Sequence, residues 1–216
     1  GRVSLQTTGT QAKNSRSTTF RSASELKQRF KEIGKTFDAV QLSQGPLNGK
    51  FTLTNLGSIF LLKIHTNQRL LLNGDRGFDC MSFCLEATGL ADQHLMHNKP
   101  ISPYSLNGFR QGQKESHFQL TANTTTFLAI LSITRFNAFI SHFERDDLIE
   151  ELEGHNALQM KPAMHAKIRK QLQSLIPNPA LTTQQSRQIT NHLYSSFLSA
   201  LIDKSNVDYL AHNPSS

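Results

Sequence analysis

Histidine gives this chain its clearest opportunity for metal chemistry, because imidazole nitrogens are common ligands of transition metals. The chain contains nine histidines among its 216 residues. A mononuclear metal site in a β-barrel enzyme needs a closely spaced His-x-His pair, a carboxylate and a further histidine, and the sequence contains no His-x-His pair. The nearest pattern is His94-x-x-His97 in QHLMHNKP, where a spacing of three suits a helix and the neighbouring acid is Asp92. We therefore expect an exposed loop here, and predict no metal and no cofactor.

The acidic residues are concentrated in ERDDLIEELEG, which could suggest cation binding. Their spacing covers much of the circumference of a helix, which is typical of a solvated face. Cys80 and Cys84 lie on one face of a predicted strand but about 13 Å apart along it, too far for a disulfide. They are predicted to be thiols in a reducing compartment. The nucleophile elbow, the dinucleotide-binding glycine pattern and the Walker A pattern do not occur in the sequence, so we predict that the chain is not an enzyme.

The formal net charge of +7 comes from the beginning of the chain. Residues 1–50 hold nine Lys/Arg against three acids, whereas residues 136–216 hold seven against eight. A nucleic-acid-binding module usually concentrates basic residues on one folded face, so this Ser/Thr/Gln-rich segment is interpreted as a solvating tail in preference to a phosphate-binding arm. No apolar run approaches the length of about 18 residues that spans a membrane, and residues 1–20 lack the apolar core of a signal peptide. These features predict a soluble, cytoplasmic chain without a membrane partner.

The hydrophobic pattern divides the chain into successive regions. Residues 1–20 are predicted to be a disordered tail, and Ser22 with Glu25 forms a capping-box pattern that begins a short helix ending at Gly34. From there to about residue 134 the period is two, with strands predicted at 37–43, 49–55, 58–65, 68–73, 79–87, 105–110, 115–121 and 124–134. After residue 134 the period returns to 3.6, with helices at about 162–176 and 182–203 that should pack antiparallel. The predicted domains are thus a sheet region at 21–135, a helical region at 136–205 and a tail at 206–216.

Four segments carry a resemblance to a known family: SASELKQRF, VQLSQGPLNGKFTLTNLGSIFLLKIHTNQRLLLNGD, DCMSFCLEATG and ISPYSLNGFRQGQKESHFQLTANTTTFLAILSI. Together, residues 22 to about 205 resemble the regulatory, N-terminal half of bacterial AraC-type transcription regulators. The resemblance implies an α+β fold, with a cupin-like β-barrel or jelly roll followed by antiparallel helices. It also implies a homodimer that senses a small molecule and controls transcription.

In that family a DNA-binding unit with two helix-turn-helix motifs follows the sensor. Here only KSNVDYLAHNPSS follows Asp203, which is too short for one such motif. We therefore expect an excised sensor domain. DNA would be contacted only through the C-terminal domain of the intact protein.

A sheet of short strands separated by turns, with few paired charges, could enclose a ligand. Small barrels can also be filled completely by their own side chains. Side-chain parity predicts the ligand-pocket residues Phe60, Leu62, His65, Phe83, Phe109, His117 and Phe118. The apolar stripes of the last two helices predict the dimer-interface residues Ile168, Leu172, Leu175, Ile189, Leu193, Phe197 and Leu201. Two alternatives stay open. One is a cupin-type enzyme that binds a metal through some of His65, His94, His97 and His117, and the other is a dimerisation module without a ligand.

Overall fold

The computed structural model describes residues 15–88, 95–96, 99–100, 104–177 and 180–204. In these ranges the chain forms twelve strands and five helices. The strands are β1 (Ser15–Phe20), β2 (Phe37–Gln41), β3 (Gly49–Asn55), β4 (Ile59–Thr66), β5 (Leu70–Asp75), β6 (Cys80–Thr88), β7 (Leu95–Met96), β8 (Lys99–Pro100), β9 (Ser105–Asn107), β10 (Glu115–Leu120), β11 (Thr124–Ser132) and β12 (Ala157–Gln159). The helices are α1 (Ala23–Lys31), α2 (Ile133–His142), α3 (Asp147–Gly154), α4 (Pro162–Leu175) and α5 (Thr183–Ile202).

The strands form two antiparallel sheets. Among the described residues, the large sheet has the order β1-β3-β4-β11-β6-β9-β12 and the small sheet has the order β2-β5-β10-β7-β8. The two sheets share no strand within these ranges and do not close into a barrel, so the predicted cupin-like barrel or jelly roll is not confirmed. A period of two predicts which side chains share a face, but it does not predict whether the first and last strands pair.

Strand β11 lies near the middle of the large sheet and is buried on both faces. Phe127, Ala129 and Leu131 belong to a core shared with the helices, whereas Ile130 and the half-buried Leu128 belong to a core shared with the small sheet and α1. The large sheet therefore forms a central layer. The small sheet covers one of its faces and helices cover the other.

The core on the helix side is built around aromatic contacts. The ring of Phe83 stacks on Phe197 with centroids 4.3 Å apart, and it meets Phe136 edge to face. An ion pair of 3.0 Å between Lys161 and Asp203 places the start of α4 beside the end of α5, as the predicted antiparallel arrangement requires. These helices share one core with the sheet. None of the helices in the described ranges is long and apolar enough to cross a membrane.

The prediction of a disordered tail over residues 1–20 is wrong for Ser15–Phe20, which form the edge strand β1. Hydroxyl groups connect it to β3, with Ser15 Oγ 2.6 Å from Thr54 Oγ1 and Ser17 Oγ 2.7 Å from the Thr52 hydroxyl. At the end of the ladder the Phe20 ring fills the space above Gly49, where a Cβ atom would clash with it. The segment was missed because Ser and Thr are as common in solvated tails as in edge strands. Residues 1–14 and 206–216 lie outside the described ranges.

Helix α1 begins largely as predicted. The Ser22 hydroxyl accepts a hydrogen bond of 3.1 Å from the Glu25 amide, while the Glu25 carboxylate accepts one of 2.6 Å from the Arg21 amide. Leu26 and Phe30 point into the core beneath the helix. The helix thus covers one end of the space between the two sheets.

Candidate functional site

A cavity lies between the inner faces of the two sheets. Its walls come from α1 and the loop after it, from β2, β5 and β10 of the small sheet, and from β4, β6 and β11 of the large sheet. The described lining residues are Phe30, Lys35, Phe37, Ile64, Leu72, Arg76, Cys80, Met81, Ser82, Cys84, Gly108, Ser116, His117, Phe118, Leu120, Thr126, Leu128, Ile130 and Asn156. The cavity is therefore an apolar chamber with a small number of polar groups, which is the usual composition of a small-molecule site.

The cavity is small but exceeds the space of a single water molecule. The space open to the centre of a water-sized sphere is about 60 Å³, whereas one water needs about 10–15 Å³ on that measure. Treated as a sphere and widened by a water radius of about 1.4 Å, this space corresponds to a cavity volume of roughly 230 Å³. Pockets for drug-sized ligands measure about 300–1,000 Å³. The cavity therefore fits a small ring or a short alkyl chain.

The first charged group in the wall is the guanidinium of Arg76, which follows the end of β5 and is 6% exposed. Its Nε donates a 3.0 Å hydrogen bond to Ser116 Oγ. Its two terminal nitrogens donate to the backbone carbonyl oxygens of Arg110 and Gly108, and a longer contact of 3.5 Å reaches Asn156 Oδ1. All these acceptors are neutral, so the protein engages four of the five N–H donors of the guanidinium without neutralising its charge.

The second charged group is Lys35, which is also 6% exposed. Its backbone position is fixed by the end of α1, because Gly34 has φ +78° and the Lys35 amide donates a 2.9 Å hydrogen bond to Phe30 O. This is the left-handed helix termination that glycine favours. Within the described residues, the Lys35 ammonium donates one hydrogen bond, to the Arg76 carbonyl oxygen. A lysine ammonium carries three donors, so two remain for another acceptor.

The fully charged side chains among the described residues that line the chamber are therefore both cations. None of the described residues that line it is acidic, and neither Lys35 nor Arg76 takes part in an ion pair within the described part of the chain. Burial lowers the pKa of the Arg76 guanidinium, because the charged form loses hydration there. Burial likewise raises the pKa of the Cys84 thiol to about 12, with nearby Arg76 opposing the rise. Both pKa directions indicate a poorly hydrated interior.

Two of the seven predicted pocket residues, His117 and Phe118, line the cavity. Phe60 and Leu62 lie on the same side of the large sheet but pack into the core beside the cavity. His65 is exposed and is hydrogen-bonded to Thr125 Oγ1 at 2.9 Å.

The remaining two predicted pocket residues, Phe83 and Phe109, lie on the opposite face of the large sheet. They belong to the core under the helices, with ring centroids 5.6 Å apart. The pocket wall of β6 is formed instead by Cys80, Ser82 and Cys84, with a contribution from Met81. Both faces of the sheet are buried. The prediction from hydrophobicity chose the more apolar face of β6, whereas the cavity lies on its less apolar face.

The predicted dimer-interface residues lie inside a single chain. Ile168, Leu172, Leu175, Leu193, Phe197 and Leu201 are buried in the core beneath the helices. Ile189 is half-buried against that core. The prediction is corrected on this point, because an apolar stripe shows that a helix face is buried and does not show which partner buries it.

The histidines of the alternative enzyme hypothesis are only partly described. His94 and His97 lie outside the described residues. His65 lies on β4 of the large sheet, whereas His117 lies on β10 of the small sheet. Across the described ranges, no three side chains of His, Cys, Asp or Glu come together as a metal site would require.

Sequence reasoning missed Lys35 and Arg76, the two charged groups of the cavity. Both follow residues typical of turns, since Lys35 comes directly after the glycine that follows α1 and Arg76 comes after the Asn-Gly-Asp that ends β5. Charged residues next to turns are exposed in most proteins. A single sequence therefore contained no signal that these two side chains turn inward.

No family model matches this chain, and no curated protein matches it in sequence. Among solved structures, the chain is similar to the crystal structure of the AraC-like transcriptional activator CuxR, with a TM-score of 0.59 and 11% sequence identity. The similarity covers 88% of this chain and 72% of that one. The chain therefore has the fold of an AraC-like transcriptional activator, which confirms, at the level of the fold, the resemblance predicted from its sequence.

Proposed function

We propose that this chain is the regulatory domain of an AraC-type transcription factor, which binds a small molecule in the cavity between its two sheets. The observation that carries the proposal is this cavity, with its buried positive charge, in a chain that shares its fold with a transcriptional activator. In this proposal a separate C-terminal unit of the intact protein binds DNA. The chain itself acts as a homodimer in the bacterial cytoplasm. Ligand binding changes how the DNA-binding units of its two subunits are positioned for DNA.

The position of the cavity supports a regulatory role. Phe30 of α1 forms part of its wall, and α1 is joined to the edge strand β1 by an ion pair of 2.6 Å between Arg16 and Glu32. A ligand changes a conformational equilibrium only when it binds two states with different affinity. A wall that includes a short helix paired with the edge strand offers such a difference, because both elements lie at the periphery of the fold.

The dimer contact is proposed to use exposed apolar side chains of the helical region. Phe143, at the end of α2, is 52% exposed, and Ile202, at the end of α5, is 48% exposed. A two-fold contact would bring the same surface of each subunit together. These side chains are open to a partner, in contrast to the buried stripes of α4 and α5.

The first test is native mass spectrometry of the chain as purified. The proposal expects a dimer, and it expects an additional organic mass that is released on denaturation. The variant Leu128→Trp fills the cavity from β11 and should abolish the retained mass. Leu71→Trp is the matched control, because Leu71 lies on β5 outside the cavity lining.

The second test measures transcription from a promoter controlled by the intact regulator. Leu128→Trp should hold the output in one state under all growth conditions, while Leu71→Trp should leave the response unchanged. A monomer in the mass spectrum would contradict the proposed dimer. An unchanged response in the Leu128→Trp variant would contradict sensing through this cavity.

A further inference from the structure

We propose that the ligand of the cavity is a small organic monocarboxylate, with an apolar body between the sheets and its carboxylate on the Lys35 ammonium. This inference rests on the proposed sensing function and adds the chemical class of the ligand. It is carried by a buried cation that the described residues do not neutralise, in a chamber whose other walls are largely apolar.

The charge argument begins with the cost of burial. Moving an ammonium or a carboxylate out of water costs several kcal/mol per ion in real proteins, and an opposite charge with good hydrogen bonds recovers this cost. Lys35 is 6% exposed, and within the described part of the chain its ammonium has a single hydrogen bond, to the Arg76 carbonyl oxygen. An anion in the cavity would supply the missing counter-charge and accept the two remaining N–H donors.

Arg76 strengthens the preference for an anion without having to bind it directly. Three of its five donors are used by Ser116 and by the carbonyl oxygens of Gly108 and Arg110. Its charge nevertheless adds to the positive potential of a poorly hydrated space, where charges interact more strongly than in water. The proposal therefore assigns binding to Lys35 and electrostatic attraction to Arg76.

A second polar group in the wall is independent of the two cations. Thr126 on β11 is 5% exposed, and its hydroxyl oxygen has no hydrogen-bond partner among the described residues. A buried hydroxyl without a partner costs about 1–3 kcal/mol, so a bound polar group is expected to satisfy it. The Thr126 hydroxyl is thus available to a second polar group or to a water molecule carried with the ligand.

The remaining lining sets the rest of the ligand. Phe30, Phe37 and Phe118 present aromatic surface, and Leu72 and Ile130 add aliphatic surface. A volume of roughly 230 Å³ accommodates a six-membered ring or a chain of several methylenes. A phosphate would need more donors than two ammonium hydrogens and would leave this apolar surface uncovered. The lining therefore favours a carboxylate with an apolar body.

The test uses hexanoate, octanoate and benzoate as probes, each compared with its neutral amide, in titration calorimetry of the full chain at pH 7 and constant ionic strength. A charged hydrogen bond contributes about 1.5–3 kcal/mol, and about 1.4 kcal/mol corresponds to a tenfold change in Kd. The best carboxylate should therefore bind at least about tenfold more tightly than its amide. Lys35→Met should remove that preference, and Lys35→Arg should restore part of it.

Lys31→Met is the matched control, because Lys31 lies four residues before Lys35 at the end of α1, carries the same charge and is exposed. It should leave every Kd unchanged. The proposal is overturned if the amides bind as tightly as the carboxylates, if folded Lys35→Met keeps the preference, or if no carboxylate binds. It is also overturned if inorganic phosphate competes as well as benzoate. A retained neutral molecule in the mass spectrum would overturn the carboxylate while leaving ligand sensing intact, so the two proposals fail separately.

Discussion

Replacing Arg76 with methionine is expected to destabilise the protein strongly, because this side chain joins four parts of the fold. The guanidinium follows β5 and donates to Ser116 on β10, to the carbonyl oxygens of Gly108 and Arg110 and, at 3.5 Å, to Asn156. It thereby connects the small sheet to the segment after β9 and to the loop before β12. Methionine retains much of the apolar stem and removes all these donors.

The size of the effect follows from two opposing contributions. Leaving a buried acceptor without a donor costs about 1–3 kcal/mol, and Arg76→Met removes the Arg76 donor from the Arg110 carbonyl oxygen and the Ser116 hydroxyl, while Ser82 Oγ still donates to the Gly108 carbonyl oxygen at 3.0 Å. Against this, methionine no longer buries a charge, which recovers part of a desolvation cost of several kcal/mol. We expect a net loss of about 2–4 kcal/mol in the free energy of unfolding. This is a large share of the stability of about 5–15 kcal/mol typical of a single domain.

The assay is urea unfolding followed by far-UV circular dichroism, with Arg110→Met as the control. Arg110 is exposed, and its side chain donates one hydrogen bond of 3.1 Å to the Glu153 carbonyl oxygen. Its replacement should change stability by less than about 1 kcal/mol. If Arg76→Met is as stable as the wild-type protein, or more stable, the inference that its hydrogen bonds hold the cavity wall together is wrong.

Three further predictions concern other parts of the fold. Leu193→Glu should unfold the chain instead of producing folded monomers. Leu193 is fully buried, and an unpaired charge there costs about 4 kcal/mol or more. A cooperative thermal transition near that of the wild-type protein would contradict this prediction. Hydrogen bonds from the Ser132 and Thr134 side chains lower the pKa of Asp79 below its usual 3.8, so its stabilising effect is present above that pH and is lost as the pH falls through the folded pKa. Asp79→Asn should therefore flatten the acid limb of the stability curve, measured by urea unfolding between pH 2 and pH 5. Since the pKa of Cys84 is about 12, iodoacetamide at pH 8 should modify the half-buried Cys80 and leave Cys84 intact in the native protein, as peptide mass mapping would show.

The strands were largely predictable because their ends are marked chemically. Asn-Gly and Asn-Gly-Asp segments end runs whose side chains alternate, and the observed Gly49–Asn55, Ile59–Thr66 and Leu70–Asp75 lie within a residue or two of the predicted bounds. Turn residues encode this information locally. The way the strands combine into two separate sheets is a non-local property, and no short segment carries it.

The site was less predictable because hydrophobicity identifies buried faces without identifying cavities. Phe83 and Cys84 are adjacent in β6 and both are buried, yet Phe83 packs under the helices and Cys84 lines the cavity. A cavity wall in a two-layer sheet needs smaller or more polar side chains than a solid core, which leaves room for a ligand. The more polar of two buried faces is therefore a better indicator of a site than the more aromatic one.

The two buried cations of the cavity differ in one respect that bears on regulation. The partners of Arg76 belong to the protein itself, so its burial is satisfied whether or not a ligand is present. Lys35 lacks a counter-charge among the described residues, so the state with its ammonium inside is costly without a ligand. A ligand that binds this state alone stabilises it by RT ln(1 + [L]/Kd), or about 2.7 kcal/mol at a ligand concentration of a hundred times Kd.

The loop that carries Lys35 continues from α1, and Glu32 at the end of that helix is paired with Arg16 of β1 at 2.6 Å. Binding at Lys35 would therefore be coupled to the position of the edge strand, which gives a buried lysine a role that an apolar residue of the same size could not fill.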